Sequence, residues 1–521
     1  MLRTTPASRI GRAVLAALAT VAGLAVVGQA NPAKAAPTPS LKWTREYGGA
    51  VIRGSSPLAV DLDGGGVDVA VGSYNGNVYA VHGSNGSDVG GWPQGTGFGI
   101  WSSPSAADVD GNGSPELFIG SGTAETSLPP GAMIGFNANG SRRWTFQGAD
   151  GDNPRQAITA TAPIGDVTND GTPDLPFGTM GLTMHNLSAS SGQQNGGWPF
   201  YSDDSMFSSA ALADVNRDGQ TDIVDGGDAS PGGPFDHKGG VLRALRGNGS
   251  VIWERRFNDI VYSSPAIGDL DGNGTLEIAV GNGDYWQRVE PNADHSDSRR
   301  LFLLDAATGN IIWTKTLEGL TTPSPALADV NGDGRRDVVM ATQDGSQGQV
   351  YAFDVGGGTL LNADTFGGAV IGSPTTADFN SDGAQDVLVP TGAGVTAHNG
   401  KTGGQMFTVG NGTAFQNSPL VTDVDGNGRV DIITAGTKGA NGVIQRYEIS
   451  ESSFGARGWH TFRGDSRRTG SLTNPPMSHS FCGAPGAGGY WMVARDGGMF
   501  SFCDARFFGS MGGQQLNAPI V

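Results

Sequence analysis

Cysteine is nearly missing from this chain. There are two in 521 residues, Cys482 and Cys503, so the first 480 residues fold without a disulfide. Positive charge is also short: 32 Lys and Arg face 50 Asp and Glu, for a formal net charge of −18. That balance argues against nucleic acid as a partner, because phosphate binding depends on Lys and Arg. Histidine is sparse. The seven, at 82, 185, 237, 295, 398, 460 and 479, form no H-E-x-x-H pair, and there is no G-x-S-x-G. Zinc-protease and nucleophile-elbow chemistry therefore have no carrier in the sequence, and each histidine reads as a surface or loop residue. No long amphipathic helical stretch occurs in residues 41–470, and no apolar run after residue 35 is long enough to span a bilayer.

What the chain has in excess is glycine and acid at fixed offsets. Glycine accounts for 86 residues, more than twice the typical share of about 7%. The stretch "DLDGNGTLE" (269–277) puts Asp269, Asp271 and Asn273 at positions 1, 3 and 5, Gly274 at 6 and Glu277 at 9. Alternate oxygen side chains and a later carboxylate suit a hard cation such as Ca²⁺, which takes about six to eight oxygen ligands. Thr275 at position 7 offers its backbone carbonyl. The EF-hand loop opens in the same way, but helices flank it. Here the flanks are "VYSSPAIG" and "IAVGN", short apolar runs with turn residues, which read as strands.

The block occurs eight times, with first aspartates at 61, 108, 166, 214, 269, 329, 378 and 423 and glycine always at position 6. Internal repetition near this period marks a propeller, a solenoid or an array. The candidate ligands are Asp61, Asp63 and Asp68; Asp108, Asp110, Asn112 and Glu116; Asp166, Thr168, Asp170 and Asp174; and Asp214, Asn216, Asp218 and Asp222. They continue as Asp269, Asp271, Asn273 and Glu277; Asp329, Asn331, Asp333 and Asp337; Asp378, Asn380, Asp382 and Asp386; and Asp423, Asp425, Asn427 and Asp431. Each block holds three carboxylates, so one divalent cation apiece would bring the formal charge from −18 to about −2. The first block has Gly65 at position 5, and its Asp68 comes one residue early, which predicts a weak or empty site. Thr168 is a poorer but usable ligand. The expectation is seven or eight Ca²⁺ per chain.

Around each block the pattern is of strands. Residues 261–317 hold "SPAIG", "EIAVG", "LFLLD" and "IIWTKTL", four short apolar runs between turns. Four antiparallel strands per repeat of about 40–60 residues make a propeller blade. The fold class is therefore all-β, a propeller of eight four-stranded blades, or seven if the degenerate first unit forms none. "LKWTREY" (41–47) reads as a fourth strand without a blade of its own, the natural partner of the last blade, which begins near "NSPLVTD" (417–423).

The register-keeping D-x-[DN]-x-[DN]-G-x-x-[DE] blocks, each leading into an apolar strand, resemble the FG-GAP/VCBS repeats of bacterial secreted proteins. They are also similar to the calcium-binding blades of integrin α subunits. The resemblance covers about residues 41–470, and it implies calcium in the blade loops and an adhesion-like role. "LLDAATGNIIW" (303–313) and "WHTFRGDSRRTG" (459–470) resemble blades of the PQQ-type quinoprotein propellers. The adjacent disulfide of that family is absent, so the likeness implies a shared blade style rather than a shared cofactor. Some pectin-backbone lyases are also calcium-containing propellers with similar loops, and a carbohydrate-active lyase is the alternative function. Their catalytic residues have no match here. "RGDS" (463–466) reads as a turn rather than an integrin ligand, and Asp203 and Asp204 in "YSDDSMFSS" read as a solvated turn.

The ends differ from the middle. Residues 1–35 carry Arg3, Arg9 and Arg12, the apolar "AVLAALATVAGLAVV" and a small-residue "AKA" site, the pattern of a secretory signal. The propeller is expected over 37–470 and a linker over 471–480. Residues 481–521 resemble a Gly- and aromatic-rich repeat of actinobacterial exported proteins. In an exported chain Cys482 and Cys503 are expected to pair, stabilising that segment by roughly 3 kcal/mol. The sequence thus points to an exported calcium-binding propeller acting as a binding or surface-interaction module. No catalytic residue is assigned. The partner is a glycan, a protein or cell wall, and the oligomeric state is open.

Overall fold

The run after each acidic block is apolar without alternation. "EIAVG" (Glu277–Gly281) is buried at all five positions. A strand with two apolar faces must be covered on both. The outermost strand of the same unit, Ile311–Thr316, instead alternates between half-buried and exposed. Sheets that stand radially, each flanked by two others, give this pattern. In the computed structural model they do so as eight blades in a ring. The structure describes residues 37–473, except 123–130, 148–155, 231–237, 293–295, 345–346, 366–369, 371, 451 and 456, together with strands at 490–493 and 499–502. The expected leader and the Cys482–Cys503 pair lie outside the described residues.

Each sheet is antiparallel, and in blades 1 to 7 chain order gives the strand order. Blade 1 is complete (Leu58–Val60, Asp68–Gly72, Asn77–His82 and Gln94–Gly95), so the seven-blade alternative falls. In blade 3 the innermost strand shrinks to a single bridge between Gly165 and Asp174. The ring closes as expected: Pro39–Gly48 pairs with Asn441–Ile449 and becomes the outer strand of blade 8. Among the described residues the one helix is the short Tyr285–Val289, and none is long and apolar enough to cross a membrane.

Two sets of contacts tie blade to blade. Around the axis runs a closed ring of hydroxyls: Ser56, Ser103, Thr161, Ser209, Ser264, Ser324, Ser373 and Ser418. The backbone N–H of each donates to the hydroxyl of the next at 2.8–3.1 Å, and Ser418 returns to Ser56. Further out, a tryptophan on a fourth strand docks on the following blade. Trp43, Trp144, Trp253 and Trp313 donate their indole N–H to the carbonyls of Gly83, Ala189, Ala306 and Val355. Each ring lies against a left-handed glycine of that next turn, at Gly86, Gly192, Gly309 and Gly357; a Cβ would collide with the ring at the first three and crowd it at Gly357.

The stretch 457–472 is not a blade strand, contrary to the sequence reading of 459–470. It crosses the axis and accepts backbone N–H groups from seven blades. Ala106, Ile164, Leu212 and Ile267 donate to Ser466, Arg467, Thr469 and Gly470; Asp329, Thr376 and Val421 donate to Arg457, Trp459 and His460. Arg468 donates to Pro57 and Pro104, so blade 1 is engaged too. Arg463 donates to Ala210 and Pro265. The N–H groups of short inner strands have no neighbour on the axial side, and this plug satisfies them. Arg463 and Arg468 are fully buried, and burial pushes both guanidinium groups down to about 9. Of "RGDS", Arg463 is thus buried, Gly464 and Asp465 are half-buried and Ser466 is exposed. Pairing continues past residue 470, since Leu472 donates to Ile267.

Candidate metal centre

The acidic blocks occupy the loop between first and second strands, at the same place in every blade. The last carboxylate of each block lies at the start of the second strand (its first residue in seven blades, its second at Asp431), is buried, and accepts the N–H of position 2 at 2.9–3.1 Å in all eight loops. In seven loops the first aspartate accepts the N–H of the position-6 glycine. Those seven glycines share φ of 80–90°, a left-handed turn that favours glycine. Gly66 stands at 121°, and Asp61 bonds Gly64 instead. The degenerate first loop is thus also degenerate in geometry.

In those seven loops both oxygens of the first aspartate accept backbone N–H groups, and in some loops the carboxylates also converge. Ligand atoms of Asp108, Asp110 and Glu116, of Asp269, Asp271 and Glu277, and of Asp423, Asp425 and Asp431 lie within 4.8 Å of one another. These loops have Asp at position 3. Where Asn or Thr stands there (Thr168, Asn216, Asn331, Asn380), three carboxylates do not converge in this way. In the first loop Asp63 and Asp68 converge with His82, and Asp61 is outside the cluster. Burial pushes the last carboxyl of every loop above its ordinary range. It reaches about 6 at Asp174 and about 7 at Asp222, Asp337 and Asp386. Asp68, Glu116, Glu277 and Asp431 shift the same way. A buried carboxyl held among other carboxylates is a group that a cation would return to its charged form. The all-oxygen donor sets fit a hard cation.

Basic side chains already serve some loops, which the sequence reading missed. Arg143 lies 2.8 Å from Asp110 and 3.4 Å from Glu116; Arg446 lies 2.5 Å from Asp425 and 2.9 Å from Asp431. Lys401 meets Asp382 at 3.1 Å, and His82 meets Asp68 at 2.9 Å. They come from third and fourth strands and the turns between them, so only the blade register could have placed them. Among the described residues no basic group pairs with Asp269, Asp271 or Glu277, and the residue opposite Glu277 is a further acid, Asp305. The histidine reading also needs correction: His185 and His398 are buried within sheets. His237, His295 and His479 lie outside the described residues.

Residues 329–389, one loop-to-loop repeat, match the FG-GAP-like repeat family. No curated protein matches the chain. Several solved propellers do. The biofilm matrix protein Bap1 of V. cholerae is 15% identical with a TM-score of 0.58, covering 85% of this chain and 97% of that one. BamB of Moraxella catarrhalis is 16% identical at 0.51, covering 79% and 100%. The quinohemoprotein alcohol dehydrogenase of Comamonas testosteroni is 14% identical at 0.55, covering 79% and 76%. At these identities the likeness shows the fold alone.

Proposed function

We propose that this chain is an exported calcium-binding β-propeller that serves as a binding or surface-interaction module, without catalysis of its own. The observation that supports this best is the uniformity of the acidic loops. All eight loops share the bond from the position-2 N–H to a buried last carboxyl, and seven share the glycine turn as well. Calcium in seven or eight of them neutralises the loops and fixes the first hairpin of each blade. Its role is structural, and the propeller faces remain for a partner: a glycan, a protein or cell wall. Export follows from the leader-like pattern of residues 1–35, and calcium outside cells can reach the millimolar range in which weak extracellular sites fill. Bap1 is described as a biofilm matrix protein, and a comparable setting at a cell surface suits this chain.

The test is a glycan array probed with the chain from residue 36 onward, with calcium and with EDTA, alongside pull-down on cell-wall preparations. Binding in calcium that is lost in EDTA is expected. No binding to either surface in calcium would overturn the module reading. Progressive cleavage of a polysaccharide in the same samples would replace it with the lyase.

A further inference from the structure

Against the plug, on the propeller axis, lies a cavity of about 250 Å³ whose wall includes the hydroxyl ring and whose lining includes Phe462. In seven blades the residue two before the ring hydroxyl is described and lies on the same wall. Blades 2, 4 and 5 put Trp101, Phe207 and Tyr262 there; blades 1, 3, 6 and 8 put Gly54, Thr159, Thr322 and Gln416. The ring position carries a hydroxyl in all eight blades, as packing of equivalent blades demands. The position beside it ranges from glycine to tryptophan. Equivalent backbone with unlike side chains thus makes three of the seven described positions aromatic and leaves the other four small or polar. That asymmetry serves no need of the ring itself.

The chemistry of the lining narrows the occupant. Among the described residues no Asp, Glu, Lys, Arg or His lines the cavity, in a chain with 82 acidic and basic residues. A charged ligand would lose its hydration with no counter-charge in return. Each ring hydroxyl accepts a backbone N–H, and among the described residues none donates its own proton to a protein acceptor. The waist therefore offers O–H donors that a purely apolar ligand would leave unpaired. A ligand with an apolar face and several neutral oxygens satisfies both sides. A sugar ring is such a ligand: its C–H face stacks on aromatic rings and its hydroxyls accept from the waist. The volume holds roughly eight waters at about 30 Å³ each, below the range of about 300–1,000 Å³ for larger ligands. That is room for one sugar ring, not a chain.

The aromatic wall is preset. A Cβ on Gly54 would fall 1.8 Å from Trp101 Cδ1, so the indole lies against the glycine backbone. The Phe207 and Tyr262 rings are 4.4 Å apart between centroids. We propose that this axial cavity binds the terminal, uncharged sugar of a glycan, with Trp101 and the Phe207–Tyr262 pair as its stacking surface. This rests on the binding-module reading and gives it a site.

The test uses the chain from residue 36 onward in calcium. Glucose, galactose, mannose, rhamnose, fucose and N-acetylglucosamine are titrated separately, followed by tryptophan fluorescence and saturation-transfer NMR. At least one is expected to saturate. Trp101→Ala and Tyr262→Ala should each weaken it tenfold or more with a melting temperature close to that of the parent. Gly54→Ala, which displaces Trp101, and Gln416→Trp, which fills the cavity, should do the same and stand in if an aromatic deletion fails to fold. The proposal is overturned if none of the six saturates, if binding survives these variants, or if galacturonate binds as well as galactose. An array hit that survives Trp101→Ala and is not competed by monosaccharide overturns the axial site yet leaves the module reading standing. A blank array overturns the module reading itself.

Discussion

Asp228, at the end of the second strand of blade 4, shows what burial does to a single carboxylate. It is buried, accepts the Ala229 N–H at 2.8 Å and the Trp286 indole at 3.3 Å, and faces Asp204 and Asp259. Burial, then repulsion from Asp204, pushes it up to about 7. The folded protein thus prefers its protonated form. The associated stability is present in full below the ordinary value of about 4 and is lost as pH rises through about 7. Asp228→Asn keeps an acceptor and removes the charge. It should raise stability at pH 8 by about 2 kcal/mol, less than the full shift implies because relaxation screens it, and change little at pH 4. Thermal melts at both pH values, in saturating calcium so that the loops do not titrate, check this; an equal effect at both contradicts it. Nearby Asp203 and Asp204 correct a sequence reading. Asp203 is 4% exposed, Asp204 bonds Ser230 and the Asp228 N–H donates to Ser205, so the end of the second strand packs against the turn that carries them. Local sequence shows turn residues well. It does not show what folds over them.

At the level of the element, the strands were legible because each blade repeats one pattern, and the closing strand because "LKWTREY" had no blade of its own. The plug was not. Its Trp, Gly and Asp residues make turns as a blade does, and only the count exposes it: eight acidic blocks are used up before residue 459. The buried Arg463 and Arg468 ran against expectation as well, since guanidinium groups enter an interior only where carbonyls receive them. The tryptophan of "GNIIW" was read as part of a fourth strand, but its reach to the next blade depends on tertiary register. That reach can be measured. Trp313→Ala removes the bond to Val355 and the packing over Gly357. Trp313 is half-buried, so the cost should be about 2–3 kcal/mol, below the range of about 3–5 for a fully buried aromatic. Urea unfolding should show a lower midpoint with an unchanged slope. A shift under about 0.5 kcal/mol would mean that the docked ring does not hold blades 5 and 6 together.

For the whole molecule the question is how a ring with a formal charge of −18 stays folded, and the proposed answer is calcium. A ligand that binds only the folded state adds RT ln(1 + [L]/Kd) per site. With Kd near 10⁻⁴ M, at the tight end for extracellular modules, millimolar calcium adds roughly 1.4 kcal/mol per site. Seven independent sites would sum to roughly 10 kcal/mol, comparable to the stability of a whole domain. The loops should not contribute alike. Arg143 and Arg446 already neutralise blades 2 and 8, whereas Asp269, Asp271 and Glu277 of blade 5 have no basic partner among the described residues and face Asp305. Blade 5 should therefore fill first. EDTA should lower the melting temperature steeply, and calcium should restore it. Magnesium should restore less, since it dehydrates reluctantly and demands octahedral geometry. Asp271→Asn should remove one tight calcium from the metal count. Arg143→Ala should strengthen calcium binding in its loop, because a competing cation is gone. Fewer than three ions per chain after dialysis into millimolar calcium, or melting curves that overlay with and without EDTA on metal-free protein, would leave the repeated acid without the role proposed for it.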